Sequence, residues 1–111
     1  MAPQTLRETV LAAAVEYIAD HGPDGLSFRQ VAQAAGVSHQ APYHHFTDRK
    51  GIFQAIAVEG YQLFTKAMVD SLANEPADPA TALLESYVDF AFENRGHFRV
   101  MFRPDLCPLD D

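Results

Sequence analysis

The chain has 111 residues, 48% of them hydrophobic, and a formal net charge of -7. That is one ordinary globular domain with enough core to need no disulfide or metal staple. Cys107 is the single cysteine, which excludes a disulfide framework, and the longest apolar run, Val10 to Val15, falls far short of the about 20 residues that span a bilayer.

No basic segment precedes that run as in a signal peptide, so the expected location is the cytoplasm, without a membrane partner. An acidic chain also argues against a nucleic-acid partner, because affinity for DNA rests on cations meeting phosphates. The distribution softens the objection: residues 1–69 carry net -1 and residues 70–111 carry net -6. Leu26 to Phe53 holds Arg29, Arg49 and Lys50 against Asp48, with three histidines that add charge in mild acid.

Pro3 to His21 reads as a first helix, with Leu6, Val10, Ala14 and Ile18 at fourfold spacing and Gly22-Pro23 as its stop. H-G-P-D-G at 21–25 is a turn by composition. Ser27 and Gln30 then have the S-x-x-Q spacing of a capping box, and Leu26 with Val31 that of a hydrophobic staple. They predict a second helix that Gly36 ends, with Ser38 placed to cap a third running from about His39 to Phe46. Two short helices joined by a tight glycine turn make a helix-turn-helix. Pro42 is tolerated only in the first turn of the later one, since a proline in a helix interior costs about 3 kcal/mol.

Asp48 caps a long helix to about Asn74, in which Gly51 or Gly60 marks a close helix approach. E-P-A-D-P at 75–79 is a boundary, and Asp78-Pro79 starts a further helix to about Asn94 whose apolar stripe is enlarged by Phe90 and Phe92. Arg95-Gly96 is read as its break, Phe98 to Phe102 as a last short turn or helix, and the tail from Pro104 as frayed.

The stretches G-L-S-F-R-Q-V-A-Q-A-A-G-V-S and Y-H-H-F-T-D-R-K-G-I-F resemble the DNA-binding region of TetR/AcrR-family transcriptional repressors over roughly residues 5 to 65. H-F-R-V-M-F at 97–102 resembles, over a shorter span, a segment that follows the fifth helix in one TetR subgroup. The resemblance implies an all-α fold: a three-helix head with a tetracycline-repressor-type helix-turn-helix over residues 1–50, then a connecting helix and the beginning of a ligand-binding and dimerisation domain over 51–111. Family members usually continue further, so a truncated C-terminal part is expected. Phe90, Phe92, Phe98, Met101 and Phe102 would then lack partners.

The same resemblance places Arg29, Ser38, His39, Gln40, Ala41, Tyr43, His44, His45, Arg49 and Lys50 at the DNA. His39, Gln40 and His44 would read bases, against the bland reading of an exposed polar face. Tyr43 and His45 would hold phosphates or else belong partly to the core. Arg29 would meet a base or phosphate or be a solvated helix-surface arginine. Arg49 matches the family's phosphate-binding lysine, and as a cation at a helix start it opposes the dipole by about 0.3 to 1 kcal/mol, which disfavours a purely structural role. Ala41 and Pro42 depart from the threonine and aliphatic residue of many members, removing one hydroxyl contact.

Implied partners are double-stranded DNA, a second copy and a small-molecule effector, with no cofactor. Zinc is not expected, because the neighbouring His44 and His45 point about 100° apart on a helix with no further ligand at the right spacing. No phosphate loop or nucleophile-base pair suggests an enzyme. The competing reading is a helical interaction module that keeps the fold without binding DNA.

Overall fold

The structure, a computed structural model, describes residues 5–106. Pro3 and Cys107, and with them the start of the expected first helix and the end of the tail, lie outside the described residues. Six helices follow one another: α1 (Leu6–His21), α2 (Phe28–Ala35), α3 (Ala41–His45), α4 (Arg49–Ala73), α5 (Pro79–Glu93) and α6 (Arg95–Met101). The fold is all-α, as expected, and no strand occurs among the described residues.

Local chemistry sets most boundaries. Thr5 Oγ1 accepts from the Glu8 amide at the start of α1, Asp48 Oδ1 from Gly51 at the start of α4, and Asp78 Oδ1 from Thr81 at the start of α5. Each satisfies an amide that a helix start leaves without an intrahelical partner. At the end of α2 Gly36 sits at φ 71, ψ 32, a left-handed conformation that costs an L side chain about 1 kcal/mol or more and glycine almost nothing. Its amide reaches Gln33 O and the Val37 amide reaches Ala32 O, the paired bonds of a Schellman ending.

The start of α2 differs in detail from the expected box. Ser27 Oγ accepts from the Gln30 amide at 3.2 Å, but its hydroxyl donates to Gln30 Oε1 at 3.1 Å. The glutamine side chain is thereby held by the hydroxyl and not by the Ser27 amide. Leu26 and Val31 are both buried in the same apolar cluster, as the staple requires.

That cluster takes Val10, Leu11, Ala14 and Ile18 from α1, Phe28 and Val31 from α2, Ile52, Phe53 and Ile56 from α4, and Val100 from α6. The expected boundary at residue 50 therefore does not divide the core: the first two turns of α4 complete the head, and α6 returns to seal it. Leu6, read as part of the α1 stripe, is 45% exposed.

Two glycines explain how α6 comes so close. A Cβ on Gly60 would lie 2.7 Å from Met101 Sδ and 3.2 Å from His97 Cβ, so of the two glycines in α4 it is Gly60 that marks the close approach. Arg95-Gly96 does not break a helix. The break falls at Asn94, and Gly96 lies inside α6, against the Val15 backbone of α1. Gly60→Ala is expected to lower stability by about 1 kcal/mol, because a flexible methionine can give way while the helix gains propensity. A denaturant titration reads this; a loss above about 3 kcal/mol would show that Met101 cannot move.

The second half is better packed than the sequence suggests. Phe90 and Met101 are buried, and Phe64, Tyr87, Phe98 and Phe102 form a run of edge-on ring pairs across α4, α5 and α6, with centroids 5.3 to 6.0 Å apart. Phe92 and Phe102 stay at least half exposed. Leu106 packs partly on the core and Arg103 bonds Asp24 and Asp105, so the tail is anchored at least that far.

Candidate nucleic-acid interface

The helix-turn-helix places one small polar surface on the outside of the head. Its third helix is shorter than expected and starts later: Gln40 is the residue before α3, in helical dihedrals, and makes no side-chain cap. Ser38 contributes its carbonyl, which accepts from the Ala41 amide at 3.1 Å. His39 and Gln40 form a turn ahead of the helix. Pro42 accounts for this, because with no amide it fits only the first turn, so α3 begins beside it and runs for five residues.

Burial sorts the candidates. Ala41 and Pro42 face inward and are buried, whereas Ser38, His39, Gln40, Tyr43, His44 and His45 are exposed. The Ala41 side chain, at 3% exposure, belongs to the core. Its place in the core follows from size, since a small residue lets the short α3 lie against α1 and α2. Tyr43 is 62% exposed, yet its ring stands edge-on to Phe28 with centroids 4.5 Å apart. It belongs to the surface and is steadied by the core. His45 stands 6.5 Å from the Phe46 ring and is exposed. Arg29 is exposed on α2, and Lys50 on the first turn of α4.

Arg49 differs most from the expectation. Its Nε donates to Leu26 O at 2.7 Å, and its Nη2 to Pro23 O at 3.2 Å and Asp24 O at 3.1 Å. The guanidinium also lies 5.2 Å from the centre of the Phe53 ring. It is a clamp on the turn between α1 and α2, and three carbonyls with a ring face offset the unfavourable helix-start position of the charge. These acceptors stand 23 to 26 residues away, beyond the reach of any local pattern.

Arg7 was also missed. From the first turn of α1 its guanidinium lies 5.1 Å from the centre of the Phe46 ring. It shares a cleft of about 520 Å³ with His45, Thr47, Gln54 and Gln62. No local pattern marks it; only the fold brings the start of α1 to the end of α3.

Among the described residues no group of three or more His, Cys, Asp or Glu side chains could hold a metal ion, and no helix is long and apolar enough to cross a membrane.

A short exposed polar helix, carried on a glycine turn and backed by a core drawn from α1, α2, α4 and α6, defines a helix-turn-helix protein. Residues 10–56 match the model of the bacterial regulatory proteins of the tetR family. The helix-turn-helix head over those residues is thus of the tetR-family type. It is 29% identical over 93 residues to the uncharacterized HTH-type transcriptional regulator YobS of Bacillus subtilis, covering 83% of this chain and 49% of that one. With the HTH-type transcriptional repressor AcnR of Corynebacterium glutamicum it shares 37% identity over 57 residues, 51% of this chain and 30% of the relative. A solved structure of a protein with unknown function from Rhodococcus sp. RHA1 superposes with a TM-score of 0.80 at 34% identity, over 98% of this chain and 58% of that chain. The chain thus spans about half or less of the curated relatives it matches.

Proposed function

We propose that this chain is a sequence-specific DNA-binding transcriptional regulator, acting as a dimeric repressor on a palindromic operator and released by a small-molecule effector held in its second half. The observation that carries the reading is the sorting of α3 and its approach turn. Ala41 and Pro42 are spent on the core, while His39, Gln40, Tyr43, His44 and His45 are displayed together. Such side chains donate to and accept from base edges and phosphate oxygens. Ser38, Arg29 and Lys50 are exposed as well, Arg7 shares a cleft with His45, and we assign these four to backbone positioning. Two copies would set their recognition helices in successive major grooves, with half-sites about 34 Å apart.

The test is selection from a pool of randomised duplexes, paired with the solution mass of the 111-residue chain by light scattering. The expected result is a dimer that enriches a palindrome. Enrichment of nothing would favour the interaction-module reading, for which the net charge of -7 and the exposed Leu84, Val88 and Phe92 of α5 speak. Within the same assay, His44→Ala is expected to relax preference at one base pair per half-site, a discrimination of about 1 to 3 kcal/mol. An unchanged selected sequence would take His44 out of base readout.

A further inference from the structure

The cleft of about 520 Å³ that holds Arg7 is walled by α1, by the turn between α3 and α4, and by the first half of α4. His45, the last residue of α3, belongs both to this cleft and to the displayed polar surface. Arg7, His45 and Thr47 are exposed, and Gln54 is half-buried. All four side chains can donate a hydrogen bond to an anion, the imidazole through either nitrogen once it is charged.

Arg7 and Arg49 are opposites. Arg49 donates to three carbonyls, whereas the Arg7 guanidinium lies 5.1 Å from the centre of the Phe46 ring and meets no carbonyl or carboxylate among the described residues. A ring supplies no lone pair to its N–H donors, whose planar fork matches two phosphate oxygens. Phe46 is 4% exposed, so this platform is fixed by the core. The acids nearby are engaged elsewhere. Glu59, from α4, is the cleft's carboxylate among the described residues, and its Oε1 stands 2.7 Å from His97 Nε2. Asp48 does not line the cleft, and its Oδ1 accepts from the Gly51 amide at 2.9 Å.

We propose that this cleft seats one phosphodiester of the DNA backbone, held by Arg7 and by His45 in its protonated form, so that affinity for DNA rises as pH falls. The proposal rests on the DNA-binding reading and adds a regulation to that same surface. With α3 in a major groove, its last residue and the guanidinium beside Phe46 reach the backbone that walls the groove. Thr47 and Gln54 add neutral donors. A bound phosphate favours the charged imidazole, so binding takes up a proton. The gain is therefore present in mild acid and is lost as pH rises through the value His45 has in the complex.

The probe is a fluorescent duplex carrying the selected operator, or random-sequence DNA of the same length if none is selected, bound to the 111-residue chain across a KCl series at pH 8 and pH 6. The parent should bind about fivefold more tightly per copy at pH 6, as a rise of about one unit in a histidine's pKa gives. His45→Gln should lose that gain, and whatever His39 and His44 add remains in both chains. Arg7→Gln should lower the slope of log affinity against log salt at pH 8 by about 0.9 per copy, and Arg7→Lys should restore it. Circular dichroism checks that each variant keeps the fold. Methyl phosphate, added at constant ionic strength, should not displace the duplex; displacement would assign the cleft to a free phosphate ester and overturn the proposal. A parent that binds no duplex at either pH would overturn the DNA-binding reading and the seat together. A parent that binds, while His45→Gln keeps the whole pH gain or Arg7→Gln the whole slope, would overturn the seat alone.

Discussion

Gly96→Ala should cost about 3 kcal/mol of folding stability, enough to lower the melting temperature of a chain this size by about 12 °C or more. The added Cβ would fall on the Val15 carbonyl oxygen and lie 2.8 Å from Val15 Cγ1. The carbonyl is part of the α1 backbone and cannot turn aside as a side-chain tip does. Relief requires α6 to move away from α1, which strips cover from Val100, a residue with no exposed surface at the centre of the core. Helix propensity works the other way, favouring alanine by about 1 kcal/mol, and is too small to rescue the contact. Gly51→Ala is the control, since its Cβ would meet nothing nearer than 3.7 Å. That variant should be neutral or slightly stabilised. If thermal melts rank the two alike, the close crossing of α1 and α6 is not what holds the second half onto the head.

Arg49→Ala should be the second large effect, about 2 to 3 kcal/mol, because it strips a charged donor from three carbonyls of the turn before α2. Arg49→Lys should recover less than half of this, as an ammonium cannot span acceptors that a planar fork reaches together. Binding separates this role from a phosphate contact. A cation that neutralises one phosphate contributes about 0.9 to the slope of log affinity against log salt. For a clamp, the slope measured where the variant is still folded should match that of the parent. A slope lowered by about one with unchanged stability would return Arg49 to the phosphate backbone, and the carbonyl contacts would then be incidental.

Both results bear on how the head is held rigid. The turn over residues 22–27 is fixed by Arg49 from α4, and Asp24 within it is paired with Arg103 beyond α6. Arg99 Nη1 adds a bond of 3.2 Å to the last turn of α1, at Ile18 O. Arg49 from the start of α4, and Arg99 and Arg103 from the second half, thus donate to carbonyls or a carboxylate of α1 and the turn after it. Each keeps its charge while donating to a helix end or loop, at Ile18 O and Pro23 O as a second donor beside a local amide. Their roles follow from where α4 and α6 lie.

What the sequence by itself determined is whatever closes within a few residues. Ser27, Asp48 and Asp78 cap their helices through amides three positions on, and Gly36 ends α2 through bonds to Ala32 and Gln33. The periodic burial of Val10, Ala14 and Ile18 needed only a partner, whichever it was. The family pattern across the turn made the exposed face of α3 legible in the same way. Tertiary structure alone decided the rest, because the deciding atoms come from far along the chain. It set Ala41 inward beneath the exposed residues of α3, gave the exposed Arg49 carbonyl partners more than 20 residues away, and brought Arg7 to the Phe46 ring. It also pressed Gly96 against Val15 and joined His97 to Glu59 across 38 residues. Caps and turns are short-range and carry their own signature, whereas a clamp, a close crossing or a buried imidazole exists only once the chain has closed on itself.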